Sequence, residues 1–405
     1  MTALSRSWLP LVIGAAALMA VVMGVRQSLS LFLSTLNTKT GLGIAAISLA
    51  YAVGQLMWGL TQPVAGALSE RYGSARVMLA GGLMIAIGTA LIPFADSLPM
   101  LILTVGVLGA GGAGAFGLGV LMGTIVPRVS AARRGLASGI VNAGGSFGQF
   151  SVVPLTQAII TSSGWTVGLW SLSLLTLLSL PLLFMFKSSS AAPAAPSTGA
   201  ASLSEAVSGA FRDRSFLLLG AGFFVCGFHV GFIATHMPGV VAACGLTPTV
   251  GAWALATIGL FNIVGSFAVG WMVDKVRMKM LLSALYATRG LAVLCFLLAP
   301  KNEWVVMTFA AVIGVTYLST VPPTVGLIAK LHGTRFMATL FGIVIVSHQV
   351  GGFLGAWLGG RAFESTGSYD WIWYVDIMLA LGAALVHLPI REARKAHSPG
   401  GAAAT

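Results

Sequence analysis

Long apolar runs, each about as long as a bilayer is thick and parted by short polar turns, follow one another from residue 9 to residue 390. At a rise of 1.5 Å per residue, about 20 apolar residues cross a hydrocarbon core of roughly 30 Å. Twelve such runs are predicted as membrane helices: Leu9–Leu36, Gly43–Leu68, Val77–Phe94, Pro99–Val126, Gly135–Thr161, Trp165–Phe186, Phe216–Ala243, Val250–Val273, Met280–Leu298, Trp304–Leu331, Met337–Gly360 and Trp371–Ile390. The first is too long for the apolar core of a cleavable signal and is read as a span.

The longest polar, small-residue stretch begins at Lys187 and runs to about Ser208, after six spans. It reads as a linker. The predicted organisation is therefore a six-helix bundle over 1–186, a linker over 187–214, a second six-helix bundle over 215–390 and a tail over 391–405. Two features recur across the linker at a nearly constant offset. GALSERYGSAR at Gly66–Arg76 is echoed by GWMVDKVRMK at Gly270–Lys279, with Glu70 and Asp274 204 residues apart. RRGLASG at Arg133–Gly139 is echoed by TRFMATLFG at Thr334–Gly342, with Arg134 and Arg335 201 apart.

Composition bears out the choice of solvent. With 57% apolar and only 8% charged residues, the chain cannot hide its apolar surface inside a water-soluble fold. The net charge of +12 has two readings, a nucleic-acid footprint or positive-inside loops. Of 22 Lys and Arg residues, 17 fall on the side of the membrane that carries both termini, so the loops explain the charge and both termini are expected in the cytoplasm, with no nucleic-acid partner. Cys226, Cys244 and Cys295 lie in or beside spans without metal-ligand spacing, and no metal site or cofactor is expected.

The loop after the second span, with Gly66, Glu70, Arg71, Gly73 and Arg76 at their spacing, resembles the signature loop of the major facilitator superfamily, in which Asp usually stands where this chain has Glu70. Twelve spans, a central linker and a second copy of the loop extend the resemblance over the whole chain. It implies an all-α membrane protein of twelve helices in two pseudo-symmetric six-helix bundles, with spans 1, 4, 7 and 10 lining a central cavity. It also implies that Gly66, Glu70, Arg71, Gly73 and Arg76, with Asp274, Lys275, Arg134 and Arg335 from the echoed segments, form a conformational gate, the acid and its flanking Arg pairing across the halves when the cytoplasmic side is shut. RRGLASGIVNAGG at Arg133–Gly145 is similar to the fifth-span signature of the monocarboxylate transporter family, although that family's acidic cluster at the first span is missing. CGFHVGFIATHMP at Cys226–Pro238 resembles the seventh span of bacterial permeases near that family and the oxalate/formate exchangers.

Charged groups inside spans cost about 2.5–3.5 kcal/mol at a helix centre, so each is a functional candidate. Arg26 in span 1 has no acidic residue in spans 4, 7 or 10 to neutralise it, and its planar fork suits a carboxylate; the alternative is that it snorkels to the interface. Arg289 and Asp376, at similar depths in two peripheral helices of the second half, are expected to pair as a structural ion bridge. His229 and His348 lie near mid-span and either pack by hydrogen bonds or carry a proton. Asn142 and Tyr317 complete the candidate substrate contacts with Arg26, His229 and His348. The glycine-rich run Val107–Gly123 lacks the Lys-Ser/Thr of a phosphate loop and is assigned to close helix packing.

The expected activity is alternating-access transport of a small organic anion, monocarboxylate-like, by a monomer in the cell membrane, with a proton or counter-anion as coupling partner. A drug or toxicant efflux permease is the alternative. An enzyme is set aside, since no acid–base or nucleophile constellation stands out.

Overall fold

The computed structural model describes residues 8–125, 128–130, 133–186, 203–333 and 336–392. Helices account for nearly all of this, and no strand occurs among the described residues. Eleven helical segments are long and apolar enough to cross a bilayer: span 1 (Trp8–Thr40), span 2 (Ile44–Tyr72), span 3 (Ser74–Phe94), span 4 (Leu98–Ile125), span 6 (Trp165–Phe186), span 7 (Arg214–Ala243), span 8 (Pro248–Met272), span 9 (Met278–Leu298), span 10 (Glu303–His332), span 11 (Thr339–Thr366) and span 12 (Asp370–His387). Span 5 (Arg134–Ser163) has 30 residues but a lower hydropathy, because its polar groups are spent on neighbours. Gln149 accepts from Gln27 of span 1 at 3.1 Å and donates to the Leu255 carbonyl of span 8 at 2.7 Å. Ser146 accepts from Asn262 of span 8 at 2.8 Å, and Thr156 reaches Ser28 of span 1 at 3.2 Å.

Buried apolar side chains form two clusters. One draws on Leu11 through Phe186 and the other on Ala210 through Ile390, with Val153 of span 5 joining the second. Each half repeats one small-residue seam. A Cβ placed on Gly144 or Gly148 of span 5 would lie 2.8 or 2.5 Å from the carbonyl carbon of Ala16 or Ala20 in span 1. A Cβ on Gly351 or Gly355 of span 11 would lie 2.9 Å from the carbonyl carbon of Phe224 or Phe228 in span 7. Glycine lets the two backbones touch, as in close-packed membrane helix pairs. The Gly144 of the span-5 signature is thus a packing residue.

Spans 4 and 10 are both broken, at corresponding points. Span 4 runs through a nine-residue π-helical stretch (Ile102–Ala110), turns out of helical form at Ala115–Gly117 and resumes at Leu118–Ile125. Span 10 stops at Thr316 and resumes at Val321, with Pro322 in the first turn of the second piece. Ala115 and Tyr317 are 202 residues apart, matching the offset of the repeated loops. Prolines fit the start of the resumed helix, where an N–H has no helical acceptor.

The halves meet along spans 2 and 11 and along spans 5 and 8. On the face opposite Trp8 and Glu392 the seam is shut: Gly360 of span 11 packs directly on Ser48 and Ala45 of span 2, and Glu364 packs on Gly43. On the face that carries Trp8 and Glu392, the terminal face, a Cβ added at Gly66 or Gly342 would meet nothing within 4 Å. The ion pairs found there, Lys330–Glu392 at 2.7 Å and His332–Asp213 at 3.4 Å, stay within the second half. The molecule is closed at the opposite face.

Candidate functional site

A cavity opens where spans 1, 2, 3, 4 and 7 converge, lined by Arg26 and Gln27 of span 1, Tyr51 and Gln55 of span 2, Thr89 of span 3 and Thr235 of span 7, among apolar neighbours. It leaves about 40 Å³ for the centres of water-sized molecules, room for a few waters. Arg26 is the one charged group in its lining. The guanidinium donates through Nη2 to Gln55 Oε1 and lies 4.3 Å over the ring of Trp58. No Asp or Glu stands within ion-pair distance of it among the described residues. It does not snorkel away from the interior; its charge is held by an amide and by the π-face of an indole.

Two further donors are buried without a partner, Trp58 Nε1 beside this cation and Gln349 Nε2. Gln349 sits on span 11 with its amide packed against Gly59 of span 2. Buried donors are ordinarily paired, and an orphan calls for a missing acceptor. The spacing of Trp58 to Arg26, 32 residues apart on adjacent helices, left no sequence signal that would have found it.

Of the other expected site residues, Tyr317 lies close to Arg26 and Gln27, and the rest lie elsewhere. Asn142 on span 5 is half-buried with no side-chain partner among the described residues. Tyr317 is buried and donates to the Val230 carbonyl at 3.3 Å, at the break of span 10. His348 packs its ring on Phe223, with Nδ1 3.4 Å from Gln349 Oε1. His229 is buried with Nδ1 3.1 Å from Asp376 Oδ2.

This last contact replaces the expected Arg289–Asp376 bridge, which is not formed. Arg289 reaches instead to the carbonyls released by the broken helix, donating through Nη2 to Thr316 O and, at 3.0 Å, to Tyr317 O. Its Nη1 lies 3.7 Å from Cys226 Sγ. A cation at the C-terminal end of a half-helix complements both the orphan carbonyls and the helix dipole. Depth alone put Arg289 near Asp376; the rotation of span 12 turns the carboxylate to span 7. The break is also pinned by Asn262, whose Oδ1 accepts from Leu318 N at 3.0 Å while its amide holds Ser146 in the other half.

At the terminal face, Glu70 and Arg71 occupy the last turn of span 2 and Arg76 the first turn of span 3, all exposed, with Gly73 between them at φ 88°. That left-handed backbone is the reason for glycine at this point of the loop. Arg134 Nε donates to Val129 O at 3.4 Å, and Lys275 lies 3.1 Å over the Trp271 ring. Asp274 lies in the equivalent loop of the second half. Arg335 falls outside the described residues. Beside them Glu392 accepts from the Met278 and Lys279 N–H groups at 3.2 and 3.1 Å and from Lys330 at 2.7 Å. Burial works to raise its carboxyl, but the Lys330 bond and the two backbone bonds outweigh burial and hold it below the ordinary glutamate value.

Residues 15–356 match the Major Facilitator Superfamily model, and residues 219–404 match it again. The MFS-type transporter YcxA of Bacillus subtilis is 24% identical over 390 residues, 92% of each chain. Monocarboxylate transporter 13 of Rattus norvegicus is 28% identical over 91% of this chain and 86% of its own. An oxalate:formate antiporter of Oxalobacter formigenes is 28% identical over 161 residues, 40% of this chain and 38% of its own. Among solved structures, a bacterial homologue of the human lysosomal transporter Spinster, in an inward-facing and occupied conformation, superposes with a TM-score of 0.76 over 96% of this chain and 97% of its own, at 12% identity.

Proposed function

We propose, from the premise that this chain belongs to the Major Facilitator Superfamily and is a membrane transporter, that its substrate is a small organic anion of the monocarboxylate kind, moved by alternating access. The observation that carries the reading is Arg26, a cavity cation with no carboxylate partner. A substrate carboxylate would displace Gln55 from the guanidinium and take two parallel N–H bonds. The small cavity favours a short anion. The relatives named as monocarboxylate transporters and as an oxalate:formate antiporter agree in substrate class.

In this reading the terminal face is the cytoplasmic one, and the structure corresponds to an inward-open arrangement. Closing it would bring Glu70, Arg71 and Arg76, with Arg134 of the same half, toward Asp274, Lys275 and Arg335 of the other. The two bundles, 1–186 and 215–390, would turn about the seams of spans 2 with 11 and 5 with 8, within a monomer.

Thermal unfolding of the purified protein against formate, lactate, pyruvate, oxalate, amino acids and cationic drugs tests the class, since a ligand at 100 times its Kd stabilises by about 2.7 kcal/mol. Short carboxylates should stabilise the wild type and fail to stabilise Arg26→Gln. Selective stabilisation by a cationic drug, undiminished in Arg26→Gln, refutes the anion reading and returns efflux to the fore.

A further inference from the structure

Thr89 of span 3 lines the cavity, is 0% exposed, and its hydroxyl has no hydrogen-bond partner among the described residues. A threonine inside a helix ordinarily gives its proton to the carbonyl three or four residues back. Thr104, Thr124, Thr156 and Thr324, buried outside the lining, do so at 2.7–2.8 Å. For Thr89 the carbonyl three residues back, that of Ala86, already accepts from Ser173 of span 6 at 2.8 Å. A hydroxyl left unpaired in the membrane interior is costly, and calls for a partner that the protein itself does not supply.

Span 3 is not among the four spans expected to line a central cavity, and a close approach brings it there. A Cβ on Gly88 would lie 2.7 Å from both Leu108 Cβ and the Thr104 carbonyl oxygen, so span 3 abuts the π-helical stretch of span 4. Ile85, one turn before Thr89, lines the cavity with it. Most other polar groups of the wall are committed. Tyr51 donates to the Leu29 carbonyl at 2.6 Å, Ser30 to the Gln27 carbonyl at 2.9 Å, and the Gln27 amide to Gln149 at 3.1 Å. Gln55 Oε1 accepts from Arg26. Of the lining hydroxyls, those of Thr89 and of Thr235 on span 7 make no hydrogen bond among the described residues.

We propose that Thr89 is a specificity-determining contact of the transport site. With the substrate carboxylate on Arg26, the Thr89 hydroxyl donates to an oxygen on the carbon next to that carboxylate, so the site selects 2-hydroxy and 2-oxo acids over unsubstituted acids of the same length. This rests on the anion-transport reading and divides its substrate class. In a space that holds only a few waters, a three-carbon acid fixed by its carboxylate presents its remaining atoms to the wall. A wholly apolar wall would penalise a substituent oxygen by stripping it of water, and Thr89 returns the bond that is lost. An acid without that oxygen leaves the hydroxyl unpaired. Sites built to bond a substrate oxygen reject the analogue that lacks it more strongly than an apolar pocket sorts one methylene from another.

Calorimetric titration of the purified full-length protein with propionate, lactate and pyruvate tests it, because the three acids share chain length and carboxylate and differ at the second carbon alone. One hydrogen bond gained or left unmade changes Kd about tenfold, and wild type should prefer lactate and pyruvate to propionate by that factor. Thr89→Val keeps the shape and removes the hydroxyl, and should bring the preference down to about one, while Thr89→Ser should retain it. Equal binding of the three acids to wild type, lost together in Arg26→Gln, overturns the role of Thr89 and leaves the anion reading standing; binding of none of them overturns both. A preference that survives Thr89→Val and falls in Thr235→Val instead overturns the proposal in favour of the second half, and one that survives both overturns it outright. Thermal unfolding without ligand separates a binding role from a structural one. Thr89→Val should unfold at or above the wild-type temperature, since it removes an unpaired buried hydroxyl; a lowered temperature would show that hydroxyl holding the helices together and would overturn the proposal.

Discussion

Replacing Gly148 by alanine adds one methyl group at the point where spans 1 and 5 touch. The new Cβ would sit 2.5 Å from the carbonyl carbon of Ala20, whereas non-bonded carbons rest about 3.5–4.0 Å apart, so the helices must part by about 1 Å. The obstruction is backbone, which cannot rotate away as a side chain can. Overpacking of this kind costs about 1–3 kcal/mol, with rigid sites at the upper end, against a gain of about 0.5–1 kcal/mol from replacing a helical glycine. The expected net loss is about 2 kcal/mol, and Gly355→Ala, 2.9 Å from the Phe228 carbonyl carbon on the equivalent seam, should behave alike. Gly66→Ala and Gly342→Ala make the same chemical change where nothing lies within 4 Å, and should be neutral or slightly stabilising. Thermal unfolding of the four variants in one detergent, followed by tryptophan fluorescence, compares them directly. Seam variants as stable as the open-site variants would refute the close-contact account of both bundles.

Three further outcomes are expected. Glu392→Gln should destabilise by about 1–2 kcal/mol at neutral pH through the loss of charge-assisted bonds; because the native carboxyl titrates below its ordinary value, the wild-type advantage is present above that ordinary value, near pH 4.3, and the two unfolding curves should converge as pH falls through the lower native value. Exchanging the charges in Arg289→Asp with Asp376→Arg should not restore the stability lost in either single variant, since the two side chains serve different partners; rescue to wild-type unfolding temperature would reinstate a direct bridge. Cysteines at Ser48 and Gly360, with Cys244 and Cys295 replaced by serine, should form a disulfide spontaneously and stop transport until reduced, as read on gels and in proteoliposomes; failure to cross-link would mean that this face is not shut.

The twelve helices were legible because a bilayer demands length and apolarity in each one separately, and the expected ends differ from those found by only a few residues, as for Trp304–Leu331 against Glu303–His332. Span 5 was legible for the same reason even though its polar side chains lower its hydropathy. The loop glycine at Gly73 was readable from the motif. Partnership was another matter. Sequence gives the depth of Arg289, Asp376 and His229 in the membrane but not the rotation of their helices, and a rotation of one residue, about 100°, decides which neighbour a carboxylate meets. The paired breaks had left a trace, a glycine run in span 4 and two prolines in span 10 at the repeat offset, yet each has an ordinary explanation alone, as packing or as a loosened helix. Their equal spacing is what singles them out.

The two ends of this transporter differ in what would close them. At the opposite face, small residues of spans 2 and 11 meet backbone to side chain, and no ion pair joins the halves there among the described residues. At the terminal face the loops carry Glu70, Arg71, Arg76 and Lys275; if they form the proposed gate, closure there would depend on charges that salt screens over about 10 Å at 0.1 M. Ionic strength should therefore act as a one-sided lever: raising it on the terminal side favours the arrangement seen here, while raising it on the other side leaves a door that is locked by shape.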